Sequence, residues 1–158
     1  MKNRRIVVAL LLTAVLCVGV GYATLSDTIN FTGKITHENS LQLVWNNFQD
    51  AAGVTTAHSG EGTDAFTVSI NTSEWNTNEA KSFTVDVENP TGFAASNVQV
   101  TTPTGVPANY TVTAAFDPAI TTIAAGSSAT VIVTITMNSY PSADLDEVPF
   151  TFQVTAGI

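Results

Sequence analysis

The feature that most limits what this chain can fold into is a side-chain alternation of period two that runs almost from end to end. Leu41, Leu43 and Trp45 are separated by Gln42 and Val44, and Phe66, Val68 and Ile70 by Thr67 and Ser69. Phe83, Val85 and Val87 are separated by Thr84 and Asp86, and Val131, Val133, Ile135 and Met137 by Ile132, Thr134 and Thr136. Val98 and Val100, then Tyr110, Val112, Ala114 and Phe116, and finally Val148, Phe150, Phe152 and Val154 repeat the pattern. Successive side chains of a strand point to opposite faces, so each run reads as a half-buried strand with one apolar and one hydroxyl or charged face. Threonine is abundant and long helix-forming segments are absent, which is strand composition.

Turn chemistry punctuates the runs. Asn89-Pro90-Thr91-Gly92, Pro103-Thr104-Gly105, Asp117-Pro118, Ala125-Gly126-Ser127 and Tyr140-Pro141-Ser142 each carry residues that set turn geometry. Residues 53–64 read as a longer Gly-rich loop, and residues 47–52 as a short helical turn. About eight strands at this spacing predict a single all-β antiparallel sandwich of jelly-roll or Ig-like type over residues 37–158, preceded by a strand over residues 24–36. No internal repeat or linker divides it.

The first residues have a different character. Met1-Lys2-Asn3-Arg4-Arg5 is a basic head, residues 6–20 are uncharged and almost wholly apolar, and Gly21-Tyr22-Ala23 places small residues where a signal peptidase reads. Residues 1–23 therefore read as a secretory signal peptide cleaved between Ala23 and Thr24. The competing reading is an uncleaved anchor, for which the apolar run is short. Leu16 before Cys17 argues against lipidation. After cleavage two basic residues (Lys34 and Lys81) would face thirteen acidic ones, a formal charge of −11 against −8 for the whole chain. That surface repels nucleic acid and anionic lipid, so contact with a membrane is expected only through the signal segment. The single Cys leaves with the signal, so stability is expected from core packing without disulfides.

The search for chemistry predicts no enzyme. His37 and His58 are far apart, and no HExxH, CxxC or GxSxG occurs. A zinc site needs three or four ligands. Acidic pairs are many, but none is singled out as a glycosidase pair by its setting. Asp144-Leu145-Asp146-Glu147 is the densest acidic stretch, and hard oxygen ligands at alternate loop positions suit calcium. Asp144, Asp146 and Glu147 are the candidate ligands for this one candidate cofactor, and a solvated loop that keeps an edge charged is the competing reading. Glu61-Gly62-Thr63-Asp64 is a weaker version of the same idea. Asn30-Phe31-Thr32, Asn71-Thr72-Ser73 and Asn109-Tyr110-Thr111 fit a glycosylation sequon, a pattern that a Thr-rich chain produces by chance.

The most informative segment follows the signal. Residues 24–36 form an extended amphipathic strand whose apolar positions are Leu25, Ile29, Phe31 and Ile35, with Asp27 and Gly33 interrupting that face. At 13 residues it is long against a strand of about five or six. It reads either as an ordinary first strand or as a strand donated to a neighbouring subunit. Docking four such side chains is worth roughly 6–12 kcal/mol before costs.

Residues Ala23-Thr24-Leu25-Ser26-Asp27-Thr28-Ile29-Asn30-Phe31-Thr32-Gly33, directly after the apolar run, resemble the processing region of the TasA/camelysin family of exported proteins. Val148-Pro149-Phe150-Thr151-Phe152-Gln153-Val154 is similar to the last strand of related archaeal and bacterial filament subunits. The resemblance covers both ends of the chain. It implies a jelly-roll subunit of extracellular fibres in a biofilm matrix, assembled by donor-strand complementation with itself as partner and with other matrix or cell-surface proteins as further partners. Protease activity described for some members is not carried over, because the chain has no zinc-protease motif.

Three functions are thus weighed, of which a secreted hydrolase ranks last because no catalytic constellation stands out, and two are expected to compete. The first is a secreted structural filament subunit at the cell surface. The second is a monomeric secreted module binding carbohydrate or protein, with Trp45, Trp75 and Tyr140 as an aromatic platform.

Overall fold

The computed structural model describes residues 28–36, 41–50, 53–72, 75–140 and 148–157. These residues form ten strands: β1 Thr28–Thr36, β2 Val44–Gln49, β3 Thr55–Ser59, β4 Ala65–Asn71, β5 Ala80–Asn89, β6 Ala95–Val100, β7 Tyr110–Phe116, β8 Thr122–Ile123, β9 Ser127–Met137 and β10 Val148–Gly157. One sheet has six strands in the order β3-β4-β1-β10-β6-β8, and the other four in the order β2-β5-β9-β7. The sheets enclose one core, to which the alternating positions contribute as their period dictates. Phe66, Val68, Ile70, Phe83, Val85, Val87, Val131, Val133, Ile135, Phe150, Phe152 and Val154 are all buried.

The connectivity is that of a long antiparallel hairpin rolled over on itself. β5 pairs with β9 across ten residues of unbroken register, from Ala80↔Thr136 to Asn89↔Ser127. β6 pairs with β8 one step further in. The next rung outward would join β4 to β10, and that rung is split. β1 lies between them, antiparallel to β4 and parallel to β10. The expected antiparallel sandwich is therefore present with one exception, the β1–β10 pair.

Three local expectations are corrected. Ten strands replace about eight. The segment 53–64 contains β3, which carries no apolar alternation because it lies at a sheet edge with four of its five side chains exposed. Residues 47–49 continue β2 and are not helical. Asn47 has φ 48° and the register with β5 shifts between Asn46 and Gln49, so a bulge produces the polar run that resembled a turn.

One corner is tied by a buried side chain. Asn89, with no exposed surface, donates from Nδ2 to the carbonyls of Phe93 (2.7 Å) and Ile123 (3.1 Å). Its Oδ1 accepts from the Thr91 N–H at 3.1 Å and hydroxyl at 2.6 Å. A buried amide must satisfy most of its bonding capacity. Here that requirement fixes the β5–β6 turn against β8.

Candidate assembly site

The site of interest is the slot that β1 fills. Its walls are β4 and β10, and its floor comes from the facing sheet. On the β4 side Phe31 lies opposite Val68 and Gly33 opposite Phe66, while on the β10 side they meet Phe150 and Phe152. Ile35 closes the upper end, where its N–H donates to the Asp64 carbonyl at 2.7 Å. Phe31, Gly33 and Ile35 point inward, and Thr32 and Lys34 point outward, as period two requires.

Phe31 is the anchor. It has no exposed surface, and its ring stacks on Phe152 at 4.6 Å with an interplanar angle of 20°. Phe150 lies at 5.0 Å, Phe83 of the facing sheet at 5.8 Å and Phe66 at 6.4 Å. Offset and edge contacts in this range add about 0.5–1.5 kcal/mol per pair beyond area burial. Phe31 and Ile35 together are worth roughly 3–6 kcal/mol of gross burial.

Gly33 sets the register. A Cβ built there would stand 3.0 Å from Trp45 Cζ2 and 3.1 Å from Phe31 Cζ. Trp45 reaches across from β2 of the opposite sheet and covers the glycine with its six-membered ring. A slip of β1 by two residues would bring Phe31 or Ile35 under that ring, so the glycine admits one alignment only. The sequence showed Gly33 as an interruption of the apolar face. Glycine in the apolar phase of a strand is the signal for close approach by another group, and it was there to be read. Trp45 Nε1 is buried and finds no hydrogen-bond partner among the described residues, a cost accepted by the ring that fills this gap.

The other residues singled out from the sequence are placed as follows. Gly21, Ala23, Thr24, Leu25, His37, Asp144, Asp146 and Glu147 lie outside the described residues. Ile29 is in β1, paired with Ile70 and Val148. His58 is on β3 and not in a loop; its ring packs 4.4 Å from Phe48, and Nε2 is 3.9 Å from Glu61. Glu61 accepts the Phe48 N–H at 2.8 Å, which gives it a structural task. Among the described residues no three His, Cys, Asp or Glu side chains come together. The aromatic platform does not form: Trp45 and Trp75 are core residues, and of the three only Tyr140 is exposed. Trp75 instead carries Lys81 over its ring at 5.1 Å.

The arrangement can hold a strand, in one register, by backbone pairing on both sides and by an aromatic anchor beneath. Neither the family models nor the curated proteins contain a match to this chain.

Proposed function

We propose that the chain is a secreted structural subunit of extracellular filaments in a biofilm matrix, assembled when β1 of one copy takes the place of β1 in the next. The observation that carries this reading is the split rung: β1 is wedged between β4 and β10, two strands already antiparallel to each other. No hairpin joins β1 to either neighbour, so it can leave the slot without unthreading any other strand. The resemblance of both chain ends to exported filament subunits points the same way.

Exchange preserves every contact that β1 makes, because the acceptor slot is the same slot. The cost is the association entropy, and the constraint is the connection. Residues 37–40 join Thr36 to Leu41, and five Cα steps span at most about 18 Å. The upper end of the acceptor slot must therefore lie within that distance of Leu41 in the donor. Short hinges of this kind favour swapping over refolding. A one-way exchange propagates as a filament, whereas a reciprocal one closes as a dimer.

A reversible staple tests the reading. Thr32 and Thr67 are direct partners across β1 and β4, on the outer face. In a Cys17→Ser chain, Thr32→Cys with Thr67→Cys locks β1 into its own sheet under oxidising conditions. Negative-stain microscopy should show no filaments when oxidised and filaments after dithiothreitol. Filaments from the oxidised monomer, or none under any condition, would overturn the proposal.

A further inference from the structure

Only two basic residues follow residue 23, Lys34 in β1 and Lys81 in β5. Lys81 is fastened through both its side chain and its backbone. Its Nζ lies 5.1 Å from the centre of the Trp75 ring and 3.3 Å from Glu79 Oε1. Its backbone partner is Ile135, in the unbroken ladder between β5 and β9.

Lys34 combines a visible side chain with a hidden backbone. The side chain is exposed on the outer face of its sheet. The backbone is flanked by Ala65 of β4 and Gln153 of β10. The next residue closes the position. The Ile35 N–H, which belongs to the Lys34–Ile35 peptide bond, donates to the Asp64 carbonyl at 2.7 Å, and the Ile35 side chain is 2% exposed. An endoprotease takes its substrate as an extended strand and pairs with its backbone. While β1 is docked that backbone is already paired on both sides, so the lysine can be met but the bond beside it cannot be cut. A β1 that has left the slot presents an unpaired backbone and the same lysine. Lys81 has no such second state, because β5 is threaded into its sheet.

We propose that Lys34–Ile35 is a state-dependent cleavage site for a trypsin-class serine endoprotease, cut only while β1 is undocked, and that the cut turns a subunit from a link into a cap. The acidic specificity pocket of such an enzyme takes the Lys34 ammonium. Hydrolysis breaks the bond between the Lys34 carbonyl carbon and the Ile35 nitrogen. The carbon takes the oxygen of one water and ends as a carboxylate, while the nitrogen takes both of its protons and ends as an ammonium. The severed piece keeps Ile29, Phe31 and Gly33, and Ile35 stays with the body. An intact β1 carries Ile35 as well and outcompetes that piece for the slot. The nicked subunit therefore still accepts a strand but has none to donate, so growth ends with it. Assembled subunits escape, because an exchanged β1 fills an identical slot and is paired in the same way. The capping rests on the strand-exchange reading, whereas the state-dependent cut requires only that β1 leaves its slot.

Limited digestion of the full-length chain with trypsin, read by mass spectrometry, tests the cut. Cleavage at Lys2, Arg4 or Arg5 is told apart by mass. At low protease the rate follows the population of the open form. Lys34 should be cut before Lys81. In the Cys17→Ser chain the oxidised Thr32→Cys/Thr67→Cys staple should slow the Lys34 cut by about tenfold or more relative to the same chain reduced and alkylated beforehand. First cleavage at Lys81, or a Lys34 cut that the staple does not slow, would overturn the proposal. For the capping, purified nicked chains are mixed as a minor fraction with intact ones. They should shorten the filaments seen by negative stain several-fold, and Lys34→Gln chains put through the same trypsin treatment should not. Filaments of undiminished length would overturn the capping. Absence of filaments from intact chains would instead overturn strand exchange and the capping with it, while the state-dependent cut stands or falls by the digestion alone.

Discussion

β9 and β1 both run through the interior of a sheet, yet they are held in different ways. β9 is flanked by β5 and β7, both antiparallel, and the chain enters it from a tight turn at Gly126 with φ 66°. It lies between β8 and β10 in sequence and is threaded into the roll. β1 is flanked just as fully, by β4 and β10, and its Phe31 is as buried as Val133 of β9. Its neighbours are nevertheless remote in sequence, and its backbone joins the described fold through one short connection. Burial and topological embedding are thus separate properties. A strand can be central to packing while remaining replaceable by an identical strand from elsewhere.

The largest effect that would break this comparison comes from emptying one anchor in each strand. Phe31→Ala should cost about 3–5 kcal/mol and Val133→Ala about 2 kcal/mol or more, read from urea denaturation. A free peptide of residues 24–36 with the native sequence should restore the Phe31→Ala chain and leave Val133→Ala unchanged. Equal rescue, or none, would mean that β1 is as embedded as β9. A smaller effect sharpens the role of register. Gly33→Val forces a branched side chain against the Trp45 ring and should cost about 1–3 kcal/mol by overpacking. The same substitution in the free peptide should abolish its binding, which fluorescence of Trp45 would report.

The smallest expected effect lies away from the slot. The Asn76 backbone N–H donates to the Glu79 carboxylate at 2.7 Å and holds its pKa below the ordinary glutamate range. A depressed carboxylate adds stability above its unfolded pKa of about 4.3, and that stability disappears as the pH falls through the folded value. Glu79→Gln should therefore lower the melting temperature slightly at neutral pH and not at all in acid. Because the group is at the surface, solvent screens most of the gain. The change should be much smaller than for either substitution in β1.

The sandwich was legible in the sequence because period-two burial is a local signal, and Phe83-Val85-Val87 and Val131-Val133-Ile135 follow it without exception. β3 was not legible, since Thr55-Thr56-Ala57-His58-Ser59 has no buried face to announce itself. The slot was half legible. Phe31 and Ile35 stood out as apolar positions, but Trp45 lies over Gly33 from the opposite sheet, and no sequence spacing encodes a contact between sheets. The place of β7 at the end of its sheet among the described residues was equally hidden, because Tyr110-Thr111-Val112-Thr113 alternates like any strand paired on both sides. Which strands border a sheet is decided by topology.

The pairing of Ile29 with Val148 and of Ile35 with Val154 joins the first described strand to the last. Such contacts must close nearly the whole chain before they return any free energy, and loop-closure entropy makes them slow. A chain emerging N-terminus first would expose β1 long before β10 exists to receive it. Through that interval Phe31 has no finished slot in its own molecule, while any completed neighbour whose slot has been vacated offers one. Timing of synthesis, as much as equilibrium preference, would then decide whether β1 closes its own sandwich or another.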